Sequence, residues 1–145
     1  MTDQAVPEYL VQFRGAFKSA MRWHDLDDLW QVLRASPKGW YVYHVGDEVP
    51  HAPLDEAQFE NFLEQVDRLL RADHQEDYCG IVYADDLRVP SMVKIYDPHN
   101  LGVSCGYSES PPLPGWVVSR AAPVDLEPER ILPANRKRWW RRLFS

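Results

Sequence analysis

Cysteine is scarce in this chain of 145 residues: there are two, Cys79 and Cys105. Two cysteines make no disulfide framework, and neither sits in a C-x-x-C pair. Glycine is scarce too, seven against twelve prolines, so the connections read as stiff and extended rather than loose. No apolar stretch approaches the roughly 18 residues that a membrane-spanning helix needs. The opening "MTDQAVPEYL" lacks a charged segment followed by an apolar run, so no signal peptide is read. The cytoplasm is the expected compartment, and there the two cysteines are thiols. Also missing are G-x-x-x-x-G-K-S/T, G-x-G-x-x-G, H-E-x-x-H and G-x-S-x-G. Phosphate cradles, zinc-protease helices and nucleophile elbows lose their usual signatures, and no cofactor is expected.

Acidic residues are absent from one end. The chain finishes "RKRWWRRLFS", residues 136–145, and every acidic residue lies before it. Five of the 16 basic residues fall there, which leaves 11 basic against 22 acidic groups in the body, a net of −11, and +5 in the tail. A body so acidic disfavours nucleic acid, because phosphate binding needs a basic face.

What is present suits a folded domain. The apolar fraction is 45% and there are six tryptophans. A chain this long forms one domain that buries roughly 68–70% of its unfolded surface. Helical spacing of Leu10, Phe13, Phe17, Ala20 and Met21 predicts a helix over 8–21, with Pro7 near its first turn. Leu26, Leu29, Trp30 and Leu33 predict a second over 25–35, capped by Asp25 and stopped by "SPKG". The third, over 56–72, has Asp55 and Gln58 as a capping box and Leu54 and Phe59 as a hydrophobic staple. Strands are predicted at 40–45, 79–84, 91–97 and 115–121 from their β-branched and aromatic content. The strand–helix–strand unit around the third helix implies a right-handed parallel crossover. The expected fold is α+β: a single domain with a mixed, mostly antiparallel sheet of about four strands and helices packed mainly on one face. Residues 1–121 form that domain, 122–134 a Pro-rich strap or linker, and 135–145 a short basic amphipathic helix.

Two polar stretches offer chemistry. The long connection "DPHNLGVSCGYSESPPLPGW" holds Asp97, His99, Cys105 and Tyr107. Asp, His and Cys are the types of an orienter, a base and a nucleophile, and His99, Cys105 and Cys79 are metal-ligand types. Turn chemistry explains Asp97-Pro98 and Cys105-Gly106 and is the favoured reading, since no His lies at fixed metal spacing from either cysteine. The second stretch, "YHVGDEVPHAP", holds His44, Asp47, Glu48 and His51, read as a surface turn with solvated charges.

On a helix, Trp139, Trp140, Leu143 and Phe144 gather on one arc of the tail. Lys137, Arg138, Arg141 and Arg142 fall opposite, and Arg136 lies one turn before the apolar arc. Such a tail can fold back on its acidic body, dock on a partner protein, lie on an anionic membrane surface or bind nucleic acid. The expectation is an accessory or adaptor protein without catalysis. It binds a protein partner through Tyr107 in the loop and through Arg136, Arg138, Trp139, Trp140, Arg141, Arg142 and Phe144, with peripheral membrane contact as an alternative for the tail. The other reading is a small metal-dependent or thiol enzyme using Asp97, His99 and Cys105.

Overall fold

The computed structural model describes residues 6–73, 81–96 and 113–126. Its elements run α1 (Glu8–Phe13), β1 (Lys18–Ser19), α2 (Trp23–Ala35), β2 (Tyr41–His44), α3 (Glu56–Asp73), β3 (Val82–Ala84), β4 (Met92–Ile95) and β5 (Trp116–Ser119). They form an α+β domain with one sheet of five strands in the order β1-β3-β4-β5-β2. Among the described residues no helix is long and apolar enough to cross a membrane.

The first predicted helix is shorter than its periodicity implied. It ends at Phe13, and residues 18–19 pair with β3 as a fifth, edge strand. Gly15 marks the break: a Cβ there would come within 3.2 Å of the Gln12 carbonyl oxygen. The turn bonds Gly15 N–H to Gln12 O instead. Helix α2 starts two residues earlier than predicted, so Asp25 is its third residue rather than its cap. The Asp25 carboxylate accepts from the Arg22 backbone N–H at 3.0 Å. That is the return half of a capping box, since an arginine cap has no acceptor to offer in exchange. Helix α3 carries the complete box. Gln58 N–H donates to Asp55 Oδ1 at 2.7 Å, and Asp55 N–H donates to Gln58 Oε1 at 3.0 Å.

Every strand pairing is antiparallel. The expected parallel crossover is therefore not formed. β2 pairs with β5 at one edge, and β5 and β4 stand between it and β3. The connection is long enough for this: 18 residues of helix reach about 27 Å, whereas three strand spacings take roughly 14 Å. The hairpin from β3 to β4 is tied by Asp85, whose Oδ1 accepts from the N–H groups of Asp86, Ser91 and Met92.

Alternation along the strands makes two cores. On one face Val82, Ala84, Val93, Ile95 and Val118 pack against Leu26, Leu29, Trp30 and Leu33 of α2 and Phe59, Leu63, Val66 and Leu70 of α3. The two long helices thus share one face. They are also joined by polar contacts: Trp30 Nε1 donates to Asp67 at 2.9 Å, and Arg71 bridges Asp67 and Asp27. Arg71 also lies over the Trp23 ring at 4.8 Å, and Arg34 pairs with Glu60 at 2.9 Å. On the other face Tyr43, Met92 and Val117 pack against Tyr9 and Phe13 of α1 and against Leu126. Residues 122–126, the start of the predicted strap, therefore belong to the domain. Pro123 and Leu126 are buried.

Candidate functional site

The residues that first drew attention as chemistry lie outside the described residues. These are Asp97, His99, Cys105, Tyr107 and Cys79, and in the tail Arg136, Arg138, Trp139, Trp140, Arg141, Arg142 and Phe144.

The second polar stretch is described in full. Gly46, at φ +104°, lets the chain turn just after β2. The turn brings His44 Nδ1 to 2.7 Å from Asp47 Oδ2. The His44 ring stacks on Trp116 of the neighbouring strand at 5.3 Å. Glu48 and His51 are exposed and do not join this pair. Among the described residues no three His, Cys, Asp or Glu side chains come together to hold a metal ion. His44 and Asp47 form an exposed hydrogen-bonded pair beside a sheet edge, a surface pairing worth about 0–1 kcal/mol at most.

A different group stands out on the α1 face. Lys94 occupies the middle of β4, one of the three inner strands. Val93 and Ile95 point to the main core, so Lys94 points the other way, beneath α1. Its Nζ lies 4.0 Å from the ring centroids of both Phe13 and Phe17. One ammonium proton is donated to the Phe13 carbonyl oxygen at 2.8 Å. That carbonyl is one of the last of α1, so the lysine also satisfies a helix end. Among the described residues no carboxylate pairs with Lys94. Burial pulls its amine down from 10.5 to about 8.

Phenols and hydroxyls share this side of the sheet. Tyr83 is the ladder partner of Lys94, and Ser19 is the ladder partner of Tyr83. Tyr96, just past β4 and packed against the main core, meets Tyr83 edge to face at 5.7 Å. Burial, with Tyr83 beside it, pushes the Tyr96 phenol up from its ordinary value. The Ser19 hydroxyl is buried and has no hydrogen-bond partner among the described residues. Further along the same face, Tyr9 is 1% exposed beside Tyr43 and Ser119. Burial, then Tyr43, drive its phenol well above the usual range, and the neighbouring Ser119 hydroxyl offsets this in part. Ser119 donates its own proton to Ala121 O at 2.8 Å, and the Tyr9 hydroxyl finds no partner of full hydrogen-bond geometry among the described residues.

The sequence held a signal for Lys94. In "SMVKIYD" the neighbours of Lys94 at a spacing of two are Met92 and Tyr96. A strand whose two faces are both apolar, with one lysine set into it, marks a buried or half-buried cation. No protein-family profile, no curated protein and no solved structure matches this chain.

Proposed function

We propose that this chain is a small cytoplasmic accessory protein that binds a partner protein through its Trp/Arg tail, with Tyr107 of the 97–107 loop as a further contact, and without catalysis of its own. The observation that carries the reading is the separation of charge, −11 before residue 136 and +5 from Arg136 onward, with two tryptophans inside the basic block. Trp and Arg are the residue types that concentrate binding energy at protein interfaces. A guanidinium fork pairs two-pronged with carboxylates, so the partner surface that fits is acidic with an apolar cleft for Trp139 and Trp140. The anchoring of the preceding segment supports the reading as well. Leu126 is buried against α1 and the sheet, so the tail starts within ten residues of a fixed point. Ten residues reach at most about 35 Å.

The test is affinity capture with three forms: the full chain, a form stopped after Pro133, and R138E/R141E. A partner that binds the full chain, is lost with the other two and releases as salt rises supports the proposal. Binding that survives both changes overturns the tail's part in it. Vesicles with and without anionic lipid, run alongside, read out the membrane alternative.

A further inference from the structure

We propose that the α1–β1 arm, residues 8–19, and the segment 122–126 form one latch, which opens from the sheet as a unit on the millisecond scale while the α2/α3 core stays closed. The opening goes beyond the partner-binding role and does not depend on it.

The two cores set its boundaries. Tyr9 and Phe13 of the arm share the second cluster with Leu126, and Leu10, Phe17 and Val124 pack against it. The floor of that cluster is Tyr43, Met92 and Val117, on strands that the main core holds from the other face. Ala20, the residue after β1, already belongs to the main core, and its N–H donates to Val82 O at 2.8 Å. At the other end Arg120 is tied to the carbonyl oxygens of Ser36 and Lys38. The arm and the segment 122–126 lie beyond these two fixed points and meet over the floor.

The arm is lightly tied. Helix α1 has six residues, where a lone helix needs about 12–15 to persist in water, and Pro7 before it offers no side-chain cap. Strand β1 pairs with β3 over two residues, whereas β4 and β5 pair over four. Burial of Tyr9 and Phe13 holds the arm down, with Lys94 reaching up to Phe13 O and to the rings of Phe13 and Phe17. Polar burial opposes this. Among the described residues, the buried side-chain oxygens of Tyr9, Gln12 and Ser19 find no hydrogen-bond partner of full geometry, and all three lie in the arm. Opening gives these oxygens and the Lys94 ammonium to water. A small apolar contact set against buried polar groups is how a unit of low local stability arises.

Leu126 makes the coupling two-way. The segment 122–126 loses its packing when the arm leaves, and loosening that segment loosens the arm by the same factor. In the open form the chain leading to the tail is held from Arg120 rather than from Leu126. Sixteen residues then lead to Arg136, a reach of at most about 55 Å. That gain in reach, unlike the opening, rests on the tail reading above.

The experiment measures NMR relaxation dispersion on the isotope-labelled full chain, with no partner present, so its failure leaves the capture result of the tail untouched. The amides of residues 8–19 and of Val124, Asp125 and Leu126 are expected to exchange with one common rate and one minor population, and those of α2 and α3 to stay flat. Hydrogen exchange at the amides of Leu10, Val11 and Arg14 should be at least about tenfold faster than in the middle of α3. Leu126→Val removes one methylene and should raise the open population about fivefold in both segments. Leu63→Val, in the main core, should lower the melting temperature and leave the open population as in the parent. The proposal is overturned if the two segments show different rates, if either shows no exchange, or if Leu126→Val moves only the 122–126 amides. It is equally overturned if α2 and α3 join with the same rate, or if Leu63→Val opens the arm as much as Leu126→Val does.

Discussion

At the scale of single residues, the balance at Lys94 is between desolvation and contact. Burial disfavours the ammonium, while two ring faces and a carbonyl oxygen attract it. Desolvation prevails, and the amine falls to about 8. In the unfolded chain the same amine titrates near 10.5. Between these values the unfolded chain binds more protons than the folded one, so removing protons favours the fold. The contribution of Lys94 is present in full above 10.5 and is lost as pH falls through about 8. Tyr9 and Tyr96 act in the opposite sense, since their raised phenols withdraw stability as pH climbs above about 10. Urea midpoints should therefore rise from pH 7.5 to pH 9.5 in the parent. Lys94→Met should abolish most of that rise, and equal slopes for the two proteins would falsify the account.

Helix and strand ends carry the next layer. The reciprocal bonds between Asp55 and Gln58 satisfy two donors at the start of α3. Asp55→Ala should cost about 1 kcal/mol, measured as a fall in urea midpoint without a change in slope. The far end of α2 is closed from another element. Arg120, just past β5, donates to the carbonyl oxygens of Ser36 and Lys38, with its guanidinium 3.9 Å over the Trp40 ring. Trp40 Nε1 shares the Ser36 oxygen at 2.8 Å. Arg120→Ala should cost about 1–2 kcal/mol, through the unsatisfied carbonyls and the lost stacking. If the melting temperature of Arg120→Ala matches the parent, solvent replaces the guanidinium without loss. These two ends differ in how they could be read beforehand. The Asp55 box is four consecutive residues, so its spacing is visible in the chain. Arg120 closes a helix more than eighty positions away, and no local pattern shows that.

For the whole molecule, the sheet order decides which segments belong to the core. β5 lies between β4 and β2, and the chain leaving it runs back along the α1 face until Leu126 is buried. Stopping the chain after Ala121 removes Pro123 and Leu126 from that core. It should lower the melting temperature by about ten degrees, from a loss of roughly 2–4 kcal/mol. Stopping it after Pro133 retains both residues and should shift the melting temperature by less than about two degrees if the tail serves a partner. A large shift in the second form would mean that the tail stabilises its own body.

Periodicity alone placed α2 and β2 to β5, and periodicity with capping placed α3, because these depend on residues within a turn or a strand of one another. Charge counting alone determined the acidic body and the basic end. Tertiary structure decided the rest. It ended α1 at Phe13 and made residues 18–19 an edge strand, since Phe17 faces Lys94 across the second core. It replaced the parallel crossover with an antiparallel sheet, because β2 finds its partner in β5, some seventy residues later in the chain. It also set a lysine between two phenylalanines from another part of the chain. Which side chains shelter an amine from water depends on contacts between distant segments, and those exist only once the chain has folded.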